Sequence, residues 1–281
     1  MMDLHQDPNI GAHSFVFVNN KSKQVIMAFR GGCFDNSKKT CRGDSCFTLA
    51  HQTLGSVTNK IYGSPFFYQC SAIDREKLHY EEQASERVKR VKEALPGYSI
   101  LLVGHSLGGY LAAYTAAQFP GDVQAVAFAP LTVGRELENH GFAGEDLDKH
   151  ATGDIITLCD PYDCTINSLA EHDARRGTVS CFYDEWNSTQ VPSSCFGMKD
   201  YASDLEMDGA EWVALSKCVL ESHLYTRYRN LTLLPSKGDA SKPLLPTCSS
   251  SLSVLSDKVV HSMRYAQKTK LGPWARSMEE I

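Results

Sequence analysis

Residues 99–121, SILLVGHSLGGYLAAYTAAQFPG, decide the fold of this chain. The apolar run 99–103 favours a buried strand, and beyond the Gly-x-Ser-x-Gly motif of residues 104–108 apolar residues recur at helical spacing as far as Pro120. The stretch therefore predicts a strand, a sharp turn and an amphipathic helix, with Ser106 at the turn. The motif's two glycines let strand and helix pack closely, and the helix N-terminus offers free N–H groups to an oxyanion. The pattern predicts that Ser106 is a nucleophile.

Composition predicts one domain with a large apolar core. The chain has 281 residues, 42% of them hydrophobic, which suits a single α/β domain over residues 1–281. A net charge of −5 without any basic run excludes the electrostatic footprint of a nucleic-acid-binding protein. No apolar stretch approaches the length of a membrane span. We therefore expect no nucleic-acid partner and no transmembrane segment.

Cysteine content indicates an oxidising compartment. Ten cysteines lie mostly in loop-like segments without the Cys-x2-Cys spacing of zinc ribbons, which favours disulfides over metal binding. Glycosylation sequons at Asn20, Asn187 and Asn230 point the same way. We expect a secreted or lumenal, vacuole-like or lysosome-like location, with a mature or truncated chain because residues 1–3 do not begin a signal peptide. A cytosolic protein with buried thiols is the alternative. The cysteines are Cys33, Cys41, Cys46, Cys70, Cys159, Cys164, Cys181, Cys195, Cys218 and Cys248.

The rest of the chain alternates predicted strands and helices. Residues 14–18 and 24–29 predict a hairpin whose second strand is covered on both faces, and a capping box at 71–74 opens a helix through residue 95. Further buried strands are predicted at 123–129 and 154–159. This alternation predicts a mostly parallel sheet flanked by helices. Residues 165–222 carry no clear pattern.

A serine nucleophile needs a base and a carboxylate that orients the base. In strand–turn–helix hydrolases these follow the serine in the order acid, then histidine. Asp160 follows a buried strand directly, and we prefer it to Asp163 in the same loop because strand ends aim side chains at such a site. His223 lies in a late segment after a helical stretch and is preferred to His172 and His261.

The oxyanion hole is expected to combine two backbone N–H groups. One belongs to Leu107, after the serine, and the other to Gly32, in the loop that follows the strand at 24–29. A second serine motif at residues 43–46 resembles that of another hydrolase class, but no buried strand precedes it. We assign it no catalytic role.

Together these blocks resemble the class 3 lipase family, the fungal-lipase-like α/β-hydrolases. The resemblance rests on residues 25–31 (VIMAFRG), residues 104–109 (GHSLGG), Asp160-Pro161 and His223-Leu224. It covers about residues 14–230 and leaves 235–281 as a C-terminal extension. It implies an α/β-hydrolase fold and a lipase or phospholipase in which Ser106 is the nucleophile, His223 the base and Asp160 its orienter. It also implies no metal, no cofactor and contact with a lipid surface.

Two departures from that family shape the expected activity. Gly32 stands where the family usually has Ser or Thr, so a backbone N–H alone serves that half of the oxyanion hole. The loop at the lid position, residues 33–46, is polar and basic, which argues against strong interfacial activation. An esterase for non-lipid esters such as feruloyl esters, and a catalytically silent lipase-like binding module, are the alternatives.

Overall fold

A computed structural model of the chain describes residues 11–32, 44, 79–131, 133, 155–160, 163, 178–181, 193–195, 218 and 221–228. Its centre is a six-stranded sheet whose spatial order follows the chain. β1 pairs antiparallel with β2, and every later pair is parallel. The strands are β1 Ser14–Asn19, β2 Gln24–Phe29, β3 Ser99–His105, β4 Val123–Phe128, β5 Ile155–Cys159 and β6 Thr178–Cys181.

The predicted β1–β2 hairpin is confirmed. Its turn is fixed by the Asn19 side chain, whose Oδ1 accepts hydrogen bonds from the N–H groups of Lys21 and Ser22. Lys23 completes the turn at a φ of 50°. Cover on both faces of β2 was expected, but one face is buried and the other only half-buried.

Helix α1, Tyr80–Ala94, begins later than its sequence pattern predicts. His79 adopts a left-handed conformation, with a φ of 49°, which interrupts any helix continuing from the predicted start. The capping box at 71–74 lies outside the described residues. The predicted apolar face is confirmed, because Ala84, Val88 and Val91 are buried.

Helix α2, Leu107–Ala117, packs on β3 and β4 and contacts α1. An amphipathic helix is predicted, yet all eleven residues are buried. The reason is its composition of alanine, glycine and apolar or aromatic residues, which lets neighbours approach on every side. The core includes Met27 and Leu102 on the sheet, Tyr80 on α1, and Tyr110 and Leu111 on α2.

The carboxyl ends of the parallel strands meet at a single edge of the sheet. Phe29 at the end of β2 pairs with Gly104 near the end of β3, and His105 pairs with Phe128 at the end of β4. Asp160 follows the end of β5 directly. Carboxyl ends of parallel strands are where α/β sheets carry their sites. β6 was not predicted, and its short span of four residues explains the weak signal.

Candidate active site

Ser106 occupies the strained turn that its motif predicts. It joins β3 to α2 with a φ of 55° and a ψ of −123°, a conformation rare for a residue with a side chain. The Ser106 N–H donates to the carbonyl of Phe128 over 2.9 Å, and its own carbonyl accepts from the N–H of Tyr110 over 2.9 Å. These bonds on both sides hold the hydroxyl at the carboxyl edge of the sheet.

Two glycines of the motif are required by close packing. A Cβ on Gly104 would overlap the carbonyl group of Gly108, and a Cβ on Gly108 would overlap the carbonyl oxygen of Phe29. Both obstacles are backbone atoms, so a side chain rotation cannot relieve them. The predicted reason for glycine at both positions is confirmed.

His223 lies against the serine. Its Nε2 is 2.9 Å from Ser106 Oγ, and its Nδ1 is 2.8 Å from Asp163 Oδ2. A carboxylate only accepts hydrogen bonds, so Nδ1 carries the proton and Nε2 is free to accept from the hydroxyl. The imidazole can therefore take the serine proton while the carboxylate holds its orientation.

The preference for Asp160 over Asp163 is wrong as to geometry. The two residues are linked by a turn in which the Asp163 N–H donates to the Asp160 carbonyl over 3.0 Å. This turn carries the second carboxylate beyond the strand end, to the imidazole. Asp160 stays at the strand end and accepts a 2.9 Å hydrogen bond from Arg227 Nε.

Asp160 instead anchors the segment that bears His223. Its side chain is fully buried and pairs with Arg227, four residues after the histidine. Its N–H also donates to the hydroxyl of Tyr228 over 2.9 Å. Arg227 was not singled out from the sequence, although a buried aspartate requires a cationic or hydrogen-bonding partner.

A disulfide and a side-chain hydrogen bond hold the other end of this segment. Cys195 is bonded to Cys218, five residues before the histidine. Ser194 donates to the carboxylate of Glu221. The sequence predicts disulfides without assigning pairs, and this one confirms that expectation. His172 and His261, the rejected candidates, lie outside the described residues.

The predicted oxyanion segment lies beside the turn. Leu107 is the first residue of α2, so its N–H has no partner within the helix. A Cβ on Gly31 would be 3.0 Å from the carbonyl oxygen of His105, which places the residue before Gly32 against the end of β3. The oxyanion roles of Leu107 and Gly32 stay predictions.

Asp44 belongs to the serine motif of residues 43–46, which was given no catalytic role. It supports the segment that leads to Gly32 by pairing with Arg30. Its carboxylate is buried and accepts a 2.6 Å hydrogen bond from Arg30 Nη2 and a 2.7 Å bond from the Tyr80 hydroxyl. Burial and the Asp44 charge raise the pKa of Tyr80, so its hydroxyl remains a donor. Asp44 is the one residue of the predicted lid loop that the structure describes.

The two histidines of the site titrate in opposite directions. Burial lowers the pKa of His223, but the Asp163 carboxylate and its hydrogen bond raise it by more, to a net value above 6.5. The pKa of His105 falls to about 4, through burial first and then through the neighbouring His223. At neutral pH His105 is uncharged, while Asp163 strengthens His223 as a base.

Within the described part of the chain, no three acidic, histidine or cysteine side chains are grouped so that they could hold a metal ion. No helix among those residues combines the length and the apolar character that a membrane span requires.

Comparison with known proteins gives one family match. A family model described as the alpha/beta hydrolase fold matches residues 58–145, which include β3, α2 and β4. No curated protein matches the chain.

Several solved structures are similar at low identity. MDLA from Penicillium cyclopium, solved as a mutant, is 16% identical, with 68% of this chain and 66% of that chain covered at a TM-score of 0.36. Lipase II from Rhizopus niveus is 14% identical over 60% of this chain and 61% of that chain, with a TM-score of 0.31. Lip2 lipase from Yarrowia lipolytica is 18% identical over 57% and 56%, with a TM-score of 0.30. The chain thus spans less than two thirds of the length of these structures. Its parallel sheet, its strand–serine–helix turn and the family-model match over residues 58–145 show that the chain has an α/β-hydrolase fold.

Proposed function

We propose that the chain is a serine carboxylic-ester hydrolase that works through an acyl-enzyme intermediate. The observation that carries the proposal is the line of contacts from Ser106 Oγ to His223 Nε2, and from His223 Nδ1 to Asp163 Oδ2, at 2.9 and 2.8 Å. A neutral hydroxyl is a weak nucleophile, and a base within hydrogen-bond reach is what activates it. Asp163 takes the orienting role that the sequence had suggested for Asp160.

The reaction follows from this geometry. As Ser106 Oγ attacks the ester carbonyl carbon, its proton passes to His223 Nε2, and the negative charge moves to the carbonyl oxygen. The backbone N–H groups of Leu107 and Gly32 are the proposed donors to that oxygen. Collapse of the intermediate releases the alcohol, which leaves with the proton from Nε2. Water then attacks the acyl-enzyme with the same base, and releases the carboxylic acid and the free serine.

The proposed substrates are acyl esters of glycerolipids. The class 3 motifs support this class, and so does the apolar character of the residues after the base. Leu224 is 50% exposed and Tyr225 is 62% exposed, immediately following His223. Such side chains provide an apolar surface next to the reacting groups, suited to an acyl chain or to contact with a lipid surface.

An oxidising compartment, secreted or lumenal, is the proposed location. The Cys195–Cys218 disulfide supports it, because structural disulfides persist mainly in such compartments.

Labelling with a fluorophosphonate probe tests the hydrolase proposal directly. The wild-type protein should be labelled, while Ser106→Ala should not, because the probe needs the activated hydroxyl. Ser99→Ala is the matched control, since Ser99 lies at the other end of the same strand and is exposed. Loss of labelling in Ser106→Ala alone is the expected result. No labelling of folded wild-type protein would leave a binding module as the better description.

A substrate panel tests the finer proposal. Release of the carboxylic acid, a fatty acid from the glycerolipids and ferulic acid from the feruloyl ester, should be measured with a phospholipid, a diacylglycerol and a feruloyl ester at equal concentrations. Faster turnover of the two glycerolipids is expected. Preference for the feruloyl ester would overturn the lipid assignment and keep the ester-hydrolase mechanism.

A further inference from the structure

His105, the residue before the nucleophile, contacts the segment that carries the general base. Its Nε2 lies 2.6 Å from the carbonyl oxygen of His223. A carbonyl oxygen only accepts, so Nε2 carries a proton and donates it to this bond. The bond joins β3 to a residue 118 positions later in the chain. It therefore fixes the backbone of the base relative to the serine, independently of the contacts that the His223 ring makes.

Ring packing reinforces this hydrogen bond. The ring centroid of His105 is 5.0 Å from that of His223 and 5.6 Å from that of Tyr228. Tyr228 is itself held by the hydrogen bond from the N–H of Asp160, and its ring meets Phe128 edge-on at 5.8 Å. The His105 ring is thus packed against both ends of the residue 223–228 segment.

The segment that leads to Gly32 passes close to the His105 ring. A Cβ placed on Gly31 would be 3.7 Å from His105 Nδ1 and 3.0 Å from the His105 carbonyl oxygen. His105 therefore contacts the segment of the base and lies beside the segment of the proposed oxyanion donor.

Its neutral state suits this location. When His223 takes the serine proton it becomes a cation, and a second cation 5 Å away would oppose that step. The lowered pKa of His105 keeps its ring uncharged through the working pH range. The groups of the described chain that act on this ring electrostatically are His223 and Asp163.

We propose that His105 is a positioning residue, which holds the His223 segment against the serine turn, beside Gly31, through its Nε2–H donor and its ring. The inference rests on the proposed hydrolase function. It adds to the active site a residue that acts through the His223 segment and not on the reacting atoms. Orienting groups of this kind are typically worth 10-fold to 100-fold in rate.

Two substitutions separate the donor from the ring. His105→Gln keeps an N–H near the position of Nε2, and His105→Phe keeps a ring without a donor. Steady-state hydrolysis of a soluble p-nitrophenyl ester should be measured for both variants and for His79→Asn, a control histidine outside the site. We expect His105→Phe to lower kcat by about 10-fold to 100-fold with KM changed less than about 3-fold. His105→Gln should recover most of kcat, and His79→Asn should match wild type.

Equal loss in the two His105 variants, or a kcat for His105→Phe within about 3-fold of wild type, would overturn the inference. Thermal unfolding confirms that each variant is folded at the assay temperature. A measurement on the wild-type protein covers the case in which the phenylalanine variant does not fold. Nitrogen-15 NMR of labelled histidines should show His105 as the neutral Nε2–H tautomer at pH 7, and the Nδ1–H tautomer or a charged ring would overturn the proposal. Absence of fluorophosphonate labelling in wild type would instead count against the hydrolase function.

Discussion

Two aspartates three residues apart make different contacts, and the roles proposed for them are testable at the level of single residues. Asp163 is hydrogen-bonded to the His223 ring, whereas Asp160 pairs with Arg227. Asp163→Asn should lower kcat by about 10³-fold to 10⁴-fold, because an amide favours the wrong imidazole tautomer. Asp160→Asn should lower kcat less and lower the free energy of unfolding by about 2–4 kcal/mol, because it leaves a partly buried guanidinium without its charge partner.

The pH profile of kcat/KM tests the contact between Asp163 and His223. The base must be neutral to accept the serine proton, so kcat/KM falls as the pH drops through the pKa of His223. In wild type the pKa of His223 is raised above the ordinary histidine value, since Asp163 outweighs burial, and the midpoint should shift upward with it. In Asp163→Asn burial remains while the carboxylate is gone, so the midpoint should move to lower pH. Asp122→Asn, at an exposed carboxylate paired with Lys92, is the control. A midpoint that stays fixed in Asp163→Asn would contradict the assigned contact.

The roles of these aspartates could not be assigned from sequence for a definite reason. Residues Asp160 and Asp163 share one loop, and strand-end position favours the first. The deciding factor is a single backbone hydrogen bond that closes the turn between them, together with the position of Arg227 in a distant segment. The proximity of Ser106 and His223 could be predicted because motif and chain order constrain both residues without any knowledge of side-chain direction.

At the scale of elements, close packing at the junction of β3 and α2 predicts that an added methyl group is tolerated less well at the glycines of the junction than at Gly97. Gly104→Ala and Gly108→Ala should each lower the free energy of unfolding by about 3 kcal/mol or more, since each Cβ would meet backbone. Gly97→Ala should cost only about 1–2 kcal/mol, because its φ of +80° is unfavourable but nothing lies within 4 Å of the added atom. Urea unfolding of the three variants measures the difference. Equal destabilisation at Gly97 and Gly108 would contradict the packing argument.

Elements were predicted best where local pattern and burial agree. The hairpin, β3, β4 and β5 carry apolar runs bounded by turn residues, and each is present within two residues of its expected bounds. The pattern of α2 indicated an exposed face that does not exist, because alanine and glycine tolerate burial without appearing strongly apolar. The start of α1 depends on a left-handed histidine that no propensity scale identifies.

At the scale of the whole molecule, the Cys195–Cys218 disulfide closes a loop of 23 residues and ties the His223 segment to a distant part of the chain. The double variant Cys195→Ala/Cys218→Ala should lose about 3 kcal/mol of stability, through greater freedom of its unfolded chain. Its kcat well below the unfolding temperature should change little, because Asp163, His105 and Asp160 still hold the segment. Thermal unfolding and ester hydrolysis on the same sample test both statements. An unchanged unfolding temperature would show that the crosslink adds no stability.

Acid stability is expected to depend on His105, the proposed positioning residue. The pKa of His105 is about 4 in the folded chain, against an ordinary value of 6.5, so the unfolded state binds more protons between these pH values. The stabilisation of the folded state by neutral His105 is complete above pH 6.5 and is lost as the pH falls towards 4. The contribution of His223 has the opposite sign, because its raised pKa favours the folded state at low pH and this advantage is lost as the pH rises through that pKa.

Allowing for partial solvent exposure of the ring, the loss of stability from His105 should be about 1–3 kcal/mol. Denaturant unfolding at pH 7 and pH 4 should therefore show that the free energy of unfolding falls less on acidification in His105→Gln than in wild type. An identical fall in the two proteins would mean that His105 is not buried in its neutral form.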